Sequence, residues 1–181
     1  MMTARSIPRS SIVTARLRLR PTSAADAKRA FEIQSDWTVT RMLSNATYPP
    51  HQKDVENWFS SHEHEWAEGS AYRFAIEEEE RMIGIVDVDG IVGSKGSLGY
   101  WLEKPAWSKG YAFEAAHALI DFVFHEVGLS RLESGHASDN PASGRVLIKL
   151  GFSQVGNREF FSRARRETIV QCYYVLERQA P

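Results

Sequence analysis

Two short segments of this 181-residue chain carry residue types suited to handling an anion and a proton. The first is Trp107-Ser108-Lys109-Gly110-Tyr111-Ala112, between an apolar strand ending near Leu102 and a helix beginning near Gly110. A helix N-terminus leaves N–H groups unpaired and carries the positive end of the helix dipole, so it favours a phosphate. Gly110 admits a ligand close to the backbone, Lys109 adds positive charge, and Ala112 keeps the first turn clear. These residues fit an anion site, pyrophosphate among the candidates, and they fit an ordinary strand-to-helix turn equally well. The second segment, Asp139-Asn140-Pro141-Ala142-Ser143, opens a helix that runs to Leu150 and closes at Gly151. Asn140 reads as its N-cap. Ser143 has no capping duty and could face a cleft.

Other chemistry-bearing residues read as structural. His62-Glu63-His64-Glu65 invites a metal, but a zinc-binding H-E-x-x-H needs its second histidine where Trp66 stands. His62 and His64, two apart, also point to different sides of a helix, so one packs and the other is solvated. No metal site is expected. The glycine-rich stretch Gly90 to Gly96 contains neither phosphate-binding glycine motif and reads as a connection between strands. Cys172, the one cysteine, lies in the apolar run Ile169 to Val175 and reads as a small core residue, with no disulfide available to it.

The elements that must position the two segments follow from periodicity. Leu17 to Arg20 alternates apolar and charged residues as a strand ended by Pro21, and Ser23 with Asp26 starts a capped helix running to Gln34. A second helix spans Gln52 to Glu68, with Val55, Trp58, Phe59, His62 and Trp66 on one face. Strands follow at Tyr72–Ile76, Met82–Val88 and Ser97–Leu102, with the acidic run Glu77 to Glu80 as an exposed hairpin turn. Next come the longest helix, Gly110 to Val127, a strand at Arg131–Ala137, the helix after Asn140, and strands at Phe152–Phe161 and Glu167–Leu176. Strand, helices, antiparallel meander, then helix, strand, helix and a final hairpin make an α+β fold around a mixed sheet.

Composition bounds the remainder. A hydrophobic fraction of 43% supports a packed core, and the length suits one domain. With 22 Lys+Arg against 23 Asp+Glu, the charge is balanced, so no nucleic-acid partner is expected. Met1 to Ser11 has no apolar core of a signal peptide, and no run reaches the length of a membrane span, so no membrane partner and a cytoplasmic location are expected.

In this order and at this separation the two opening segments resemble the Gcn5-related N-acetyltransferase (GNAT) family, whose Gln/Arg-x-x-Gly-x-Gly/Ala loop binds the pyrophosphate of coenzyme A. Gly110 and Ala112 match that loop, while Trp107 stands where Gln or Arg is usual. That departure is similar to the branch of ribosomal-protein alanine N-acetyltransferases (RimJ/RimL-like), whose loop reads much like Trp-Gly-Lys-Gly-Tyr-Ala. Thr14 to Pro21, Ile83-Gly84, Gly99-Tyr100-Trp101-Leu102 and Lys149-Leu150-Gly151-Phe152 also match, so the resemblance runs from about Thr14 to Leu176.

The resemblance implies one GNAT domain over residues 1–181, with residues 1–13 a poorly ordered tail. It implies a GNAT fold: a central mixed, mostly antiparallel twisted sheet flanked by helices, with a splayed strand pair forming the acetyl-CoA cleft. Acetyl-CoA is the implied donor. Tyr100, Trp101 and Leu102 would pair with the pantetheine arm, Trp107, Ser108, Lys109, Gly110, Tyr111 and Ala112 would hold the pyrophosphate, and Asn140 would bond the arm. Ser143, also against the cofactor, matches the branch's proton donor to the leaving thiolate, with Tyr173 or Tyr174 as fallback. Glu159 is the favoured general base. Asp87 and Asp89, on one face of a strand, are its competitors. Tyr48-Pro49-Pro50-His51, Phe160 and Phe161 fall where the family builds its acceptor wall. The implied reaction is direct attack of an amine, foremost a protein or peptide N-terminal α-amine. The alternatives are a small amine (antibiotic, polyamine or amino acid) and a non-catalytic acyl-CoA-binding module. A monomer or homodimer is expected.

Overall fold

The computed structural model describes residues 7–179. Thirteen regular elements form its frame: strands β1 (Ile12–Val13), β2 (Arg18–Pro21), β3 (Tyr72–Glu78), β4 (Arg81–Val92), β5 (Lys95–Leu102), β6 (Arg131–Ala137), β7 (Ser153–Ser162) and β8 (Glu167–Glu177), and helices α1 (Ala27–Gln34), α2 (Trp37–Thr40), α3 (Gln52–Glu68), α4 (Tyr111–Phe122) and α5 (Pro141–Lys149). The strands make one sheet in the order β1-β2-β3-β4-β5-β6-β8-β7. Every neighbouring pair is antiparallel except β5 and β6.

That parallel pair creates the opening. β5 and β6 pair only from Lys95–Ser97 to Arg131–Glu133, with one further link, Ser134 Oγ to Leu98 O at 2.9 Å. Beyond it each strand follows a different partner. β5 stays with β4 as far as Leu102 opposite Gly84, and β6 stays with β8 as far as Ala137 opposite Gln171. The β4–β5 contact is tight because residue 84 lacks a side chain: a Cβ there would lie 2.1 Å from Trp101 O.

Alternation along the strands divides the core into two layers. Ala75, Ile85 and Trp101 pack with Ala27, Ala30, Val55 and Phe59 under α1 and α3. Phe74, Ile76, Val86, Val88, Leu98 and Leu102 pack with Ala115, Ala116, Leu119 and Val123 under α4. Leu119 is fully buried, and removing its side chain to alanine would cost about 2–5 kcal/mol.

The predicted elements appear with small differences that have physical causes. The long helix is α-helical to Phe122 and ends in one π-helical turn, Val123–Val127. The stretch Gly90 to Gly96 is mostly strand, since β4 continues to Val92 and β5 starts at Lys95. Only Glu79 and Glu80 form the acidic turn; Glu77 is buried because Arg20 and Arg18 neutralise it from β2. Residues 1–6 of the expected tail lie outside the described residues. Residues 7–13, by contrast, are docked: Ile7 O accepts from Trp66 Nε1 at 2.8 Å, and Ile12–Val13 pair with β2. His62 is buried with Nδ1 2.8 Å from Thr22 Oγ1, and burial holds it down to about 4, so it is neutral. His64 is exposed beside Glu68.

Candidate active site

The parted ends of β5 and β6 open into a groove of about 1170 Å³. One wall is β5. Leu98 O is taken by Ser134 Oγ and Leu102 O by Trp107 Nε1 at 2.9 Å, both on the opening side, whereas Glu103 N–H turns to Ile83 O on the β4 side. Peptide groups alternate sides along a strand. Tyr100, midway between Leu98 and Leu102, therefore presents its N–H and C=O to the opening.

One end of the groove is the start of α4. Its first intrahelical bond is Glu114 N–H to Gly110 O at 3.1 Å, which leaves the N–H groups of Tyr111, Ala112 and Phe113 without helical partners. Ser108 (φ 62°) and Gly110 (φ 80°) both adopt the left-handed conformation, curling the segment into an N–H-lined concavity of the kind that takes anions. A side chain at 110 would be strained by that φ and would meet Arg16 Nη2 at 3.4 Å. The turn is braced from outside. Glu114 accepts from Thr14 Oγ1 (2.7 Å), Arg16 N–H (2.8 Å) and Arg16 Nε (2.7 Å), while Arg16 Nη1 donates to Lys109 O at 2.8 Å. Lys149 of α5 reaches this end, its Nζ 4.1 Å from the Phe113 ring centre, and supplies positive charge, and Arg145 also lines the groove.

The opposite wall is the start of α5. Asn140 caps it, its Oδ1 accepting from Ser143 N–H at 3.5 Å. Asp139 fixes the approach through Arg41 and Arg165, whose hydrogen bonds hold its carboxyl below the usual value. Ser143 Oγ lies 2.9 Å from the Tyr100 hydroxyl, joining the two walls, and burial pushes that phenol up to about 12.

On the α3 face of the sheet lies a charged cluster. Arg73 of β3 donates to Asp87 and to Asp89 (3.1 Å) of β4 and, through Nε at 2.8 Å, to Glu65 of α3; its guanidinium lies 5.1 Å from the Trp58 ring centre. Asp87 is 9% exposed, and burial pushes its carboxyl up to about 7. Arg73 opposes that rise, but three carboxylates share one guanidinium, and the charges of Asp89 and Glu65 add to the effect of burial. The carboxylate needs the bare backbone opposite it, since a Cβ at Gly99 would lie 2.8 Å from Asp87 Oδ1.

The groove brings together Tyr100, Trp101, Leu102, Trp107, Ser108, Gly110, Tyr111, Ala112, Asn140 and Ser143, with Asp87, Asp89 and Tyr173. Lys109 is not among them; it borders a neighbouring surface hollow with Arg16 and Glu114. Glu159 is also outside. It is exposed on β7 between Arg158 and Phe160, which both line the groove, so strand alternation turns it to the other face. Phe161 is likewise turned out, whereas Pro50, His51 and Phe160 border the groove. Tyr174 is buried 3.3 Å from His136 Nε2. The sequence reading missed Arg73, although a lone arginine inside the apolar strand Tyr72–Ile76 was its signal.

A splayed parallel pair, a helix start with free N–H groups and a hydroxyl opposite it make an arrangement suited to an acyl-CoA transferase of the GNAT type. Residues 16–153 match the acetyltransferase (GNAT) domain, and the chain belongs to that family. It is therefore an N-acetyltransferase with acetyl-CoA as donor. It is similar to the uncharacterized N-acetyltransferase p20 of Bacillus licheniformis, 29% identical over 174 residues that cover 93% of this chain and 97% of that one. It is also similar to the ribosomal-protein-serine acetyltransferase of Escherichia coli (strain K12), 30% identical over 86 residues, 46% of this chain and 48% of that one. Among solved structures, RimL, the ribosomal L7/L12 alpha-N-protein acetyltransferase in complex with coenzyme A, shares its fold with a TM-score of 0.84 at 17% identity, over 93% of this chain and 98% of that one. Among the described residues, no helix is long and apolar enough to cross a membrane.

Proposed function

We propose that the enzyme acetylates the N-terminal α-amine of a protein or peptide by direct attack in a ternary complex. The observation that carries this reading is the extent of the groove, which continues past Tyr100 and Ser143 to Pro50, His51, Asp54, Trp58 and Phe160. We read that stretch as room for peptide residues beyond the reacting amine. The fold shared with RimL, described as an alpha-N-protein acetyltransferase, supports the same acceptor.

In this reading the edge of β5 from Tyr100 to Leu102 holds the pantetheine arm, with help from Asn140. The start of α4, from Trp107 to Ala112, holds the pyrophosphate. Tyr100 N–H takes the negative charge that develops on the acetyl oxygen as the amine adds. Asp87 is the carboxylate that accepts the amine proton, in place of Glu159. A base near 7 suits an α-amine, whose own pKa is about 8, because little driving force is needed. Ser143 Oγ–H protonates the sulfur as the C–S bond breaks, and the proton shed by the amine replaces it through solvent. The sum is amine plus acetyl thioester to amide plus thiol.

A small cationic amine is the second reading, favoured by the carboxylates of Asp54, Asp87 and Asp89 among the residues that line the groove. Thiol release measured over N-terminal peptides, polyamines, aminoglycosides and amino acids separates the two. The peptide reading expects kcat/KM at least tenfold higher for some peptide than for any small amine. A small amine that outruns every peptide overturns it.

A further inference from the structure

Across the groove from Ser143, the proton donor in the reading above, stands the half-buried phenol of Tyr100. Resting on that reading of Ser143, we propose that Tyr100 is a positioning residue: its hydroxyl donates to Ser143 Oγ and thereby aims the Ser143 proton into the groove at the departing sulfur.

The geometry carries this. A serine hydroxyl rotates freely unless something fixes it, and α5 offers nothing else, since among the described residues the one side-chain partner of Ser143 Oγ is Tyr100. The two hydroxyls are 2.9 Å apart, and Ser143 O is slightly farther from the phenol at 3.1 Å. A phenol carries one proton. Given to Oγ, it occupies one lone pair of the serine and leaves the serine's own O–H free to turn toward the groove. The bond also spans the gap: Tyr100 comes from β5 and Ser143 from α5, the two walls between which β5 and β6 part. One side chain thus registers the proton donor against the strand that presents the Tyr100 N–H.

Tyr100 keeps its own proton through the cycle. Its one proton is engaged with Ser143, whose Oγ lies 2.9 Å and O 3.1 Å from the phenol, so it acts on the serine and not on the sulfur. It acts by direction, not as a proton source.

The test is a double-mutant cycle in kcat, with acetyl-CoA affinity measured by calorimetry alongside. Ser143→Ala should lower kcat by about 10²-fold. Tyr100→Phe, which keeps the ring and removes the hydroxyl, should lower kcat roughly tenfold with acetyl-CoA affinity within threefold of the parent. In the Ser143→Ala background, Tyr100→Phe should have almost no further effect, because the group it positions is gone. Three results overturn the inference: an unchanged kcat for Tyr100→Phe, a further tenfold loss in the double variant, or a loss that falls on acetyl-CoA affinity instead of kcat. If Ser143→Ala itself turns over normally, the role given to Ser143 fails and the inference falls with it. If Ser143→Ala is impaired and Tyr100→Phe is not, only the inference falls.

Discussion

Replacing Asp87 by asparagine separates the chemistry of the acceptor site from its stability, and the two should move in opposite directions. Asparagine keeps the volume and can still accept from Arg73, which retains Glu65 and Asp89 as counter-charges. What changes is the capacity to ionise. Burial raises the Asp87 carboxyl from 3.8 to about 7, a shift of roughly three units, or about 4 kcal/mol in favour of the protonated form in the folded chain. Because the folded value lies above the unfolded one, the stabilisation is complete below pH 4 and fades as pH rises toward 7. Asp87→Asn holds the neutral state at every pH. It should match the parent in stability near pH 4 and exceed it at pH 8. Even a third of the full shift would raise Tm by about 3–5 °C in a chain of this length. At pH 8, kcat should fall by about 10²-fold with acetyl-CoA affinity preserved. The parent's kcat/KM should also rise with pH through about 7, and that limb should vanish in the variant. Thermal melts from pH 4 to 8 and thiol-release kinetics read both. A variant with near-normal kcat would remove Asp87 as the base, and one that is less stable than the parent at pH 8 would refute the burial argument.

Gly110→Val forces a β-branched residue into φ 80°, costing about 1–2 kcal/mol, and should lower acetyl-CoA affinity at least tenfold by rebuilding the start of α4. Normal affinity by calorimetry would falsify the assignment of that loop to the pyrophosphate. Gly99→Ala places a methyl 2.8 Å from Asp87 Oδ1 and should depress kcat several-fold while leaving donor affinity intact; equal kcat would mean the carboxylate does not need that space. Burial works against ionised Glu114, yet the hydrogen bonds from Thr14 and Arg16 prevail and lower its carboxyl from 4.5. Its stabilisation is therefore present above that value and lost as pH falls through the lower folded one. Glu114→Gln should flatten this acid limb in melts between pH 2 and 5, and an unchanged limb would exclude the bracing role.

The sequence by itself determined the elements, because their periodicity is local. The helix Gln52–Glu68 and the strand Arg131–Ala137 have the bounds their patterns predict, and the start of α4 was visible as an apolar strand, a turn and Gly110, a pattern that suits an anion site and an ordinary turn alike. The pairing of that turn with Asn140 and Ser143 came from the resemblance to the GNAT family and not from periodicity or spacing. Tertiary structure decided which side chains share the groove. Glu159 lost its place because the register of β7 against β8 turns Arg158 and Phe160 inward, and a shift of one residue reverses every side chain on a strand. Asp87 owes its raised pKa to burial in the folded sheet and to the charges of Asp89 and of Glu65 on another element, against the pull of Arg73, fourteen residues away. Tyr100 meets Ser143 across forty-three residues only because β5 and β6 separate after three paired positions. Spacing along the chain fixes what a segment becomes; burial and long-range pairing fix what its charged and hydroxyl groups can do.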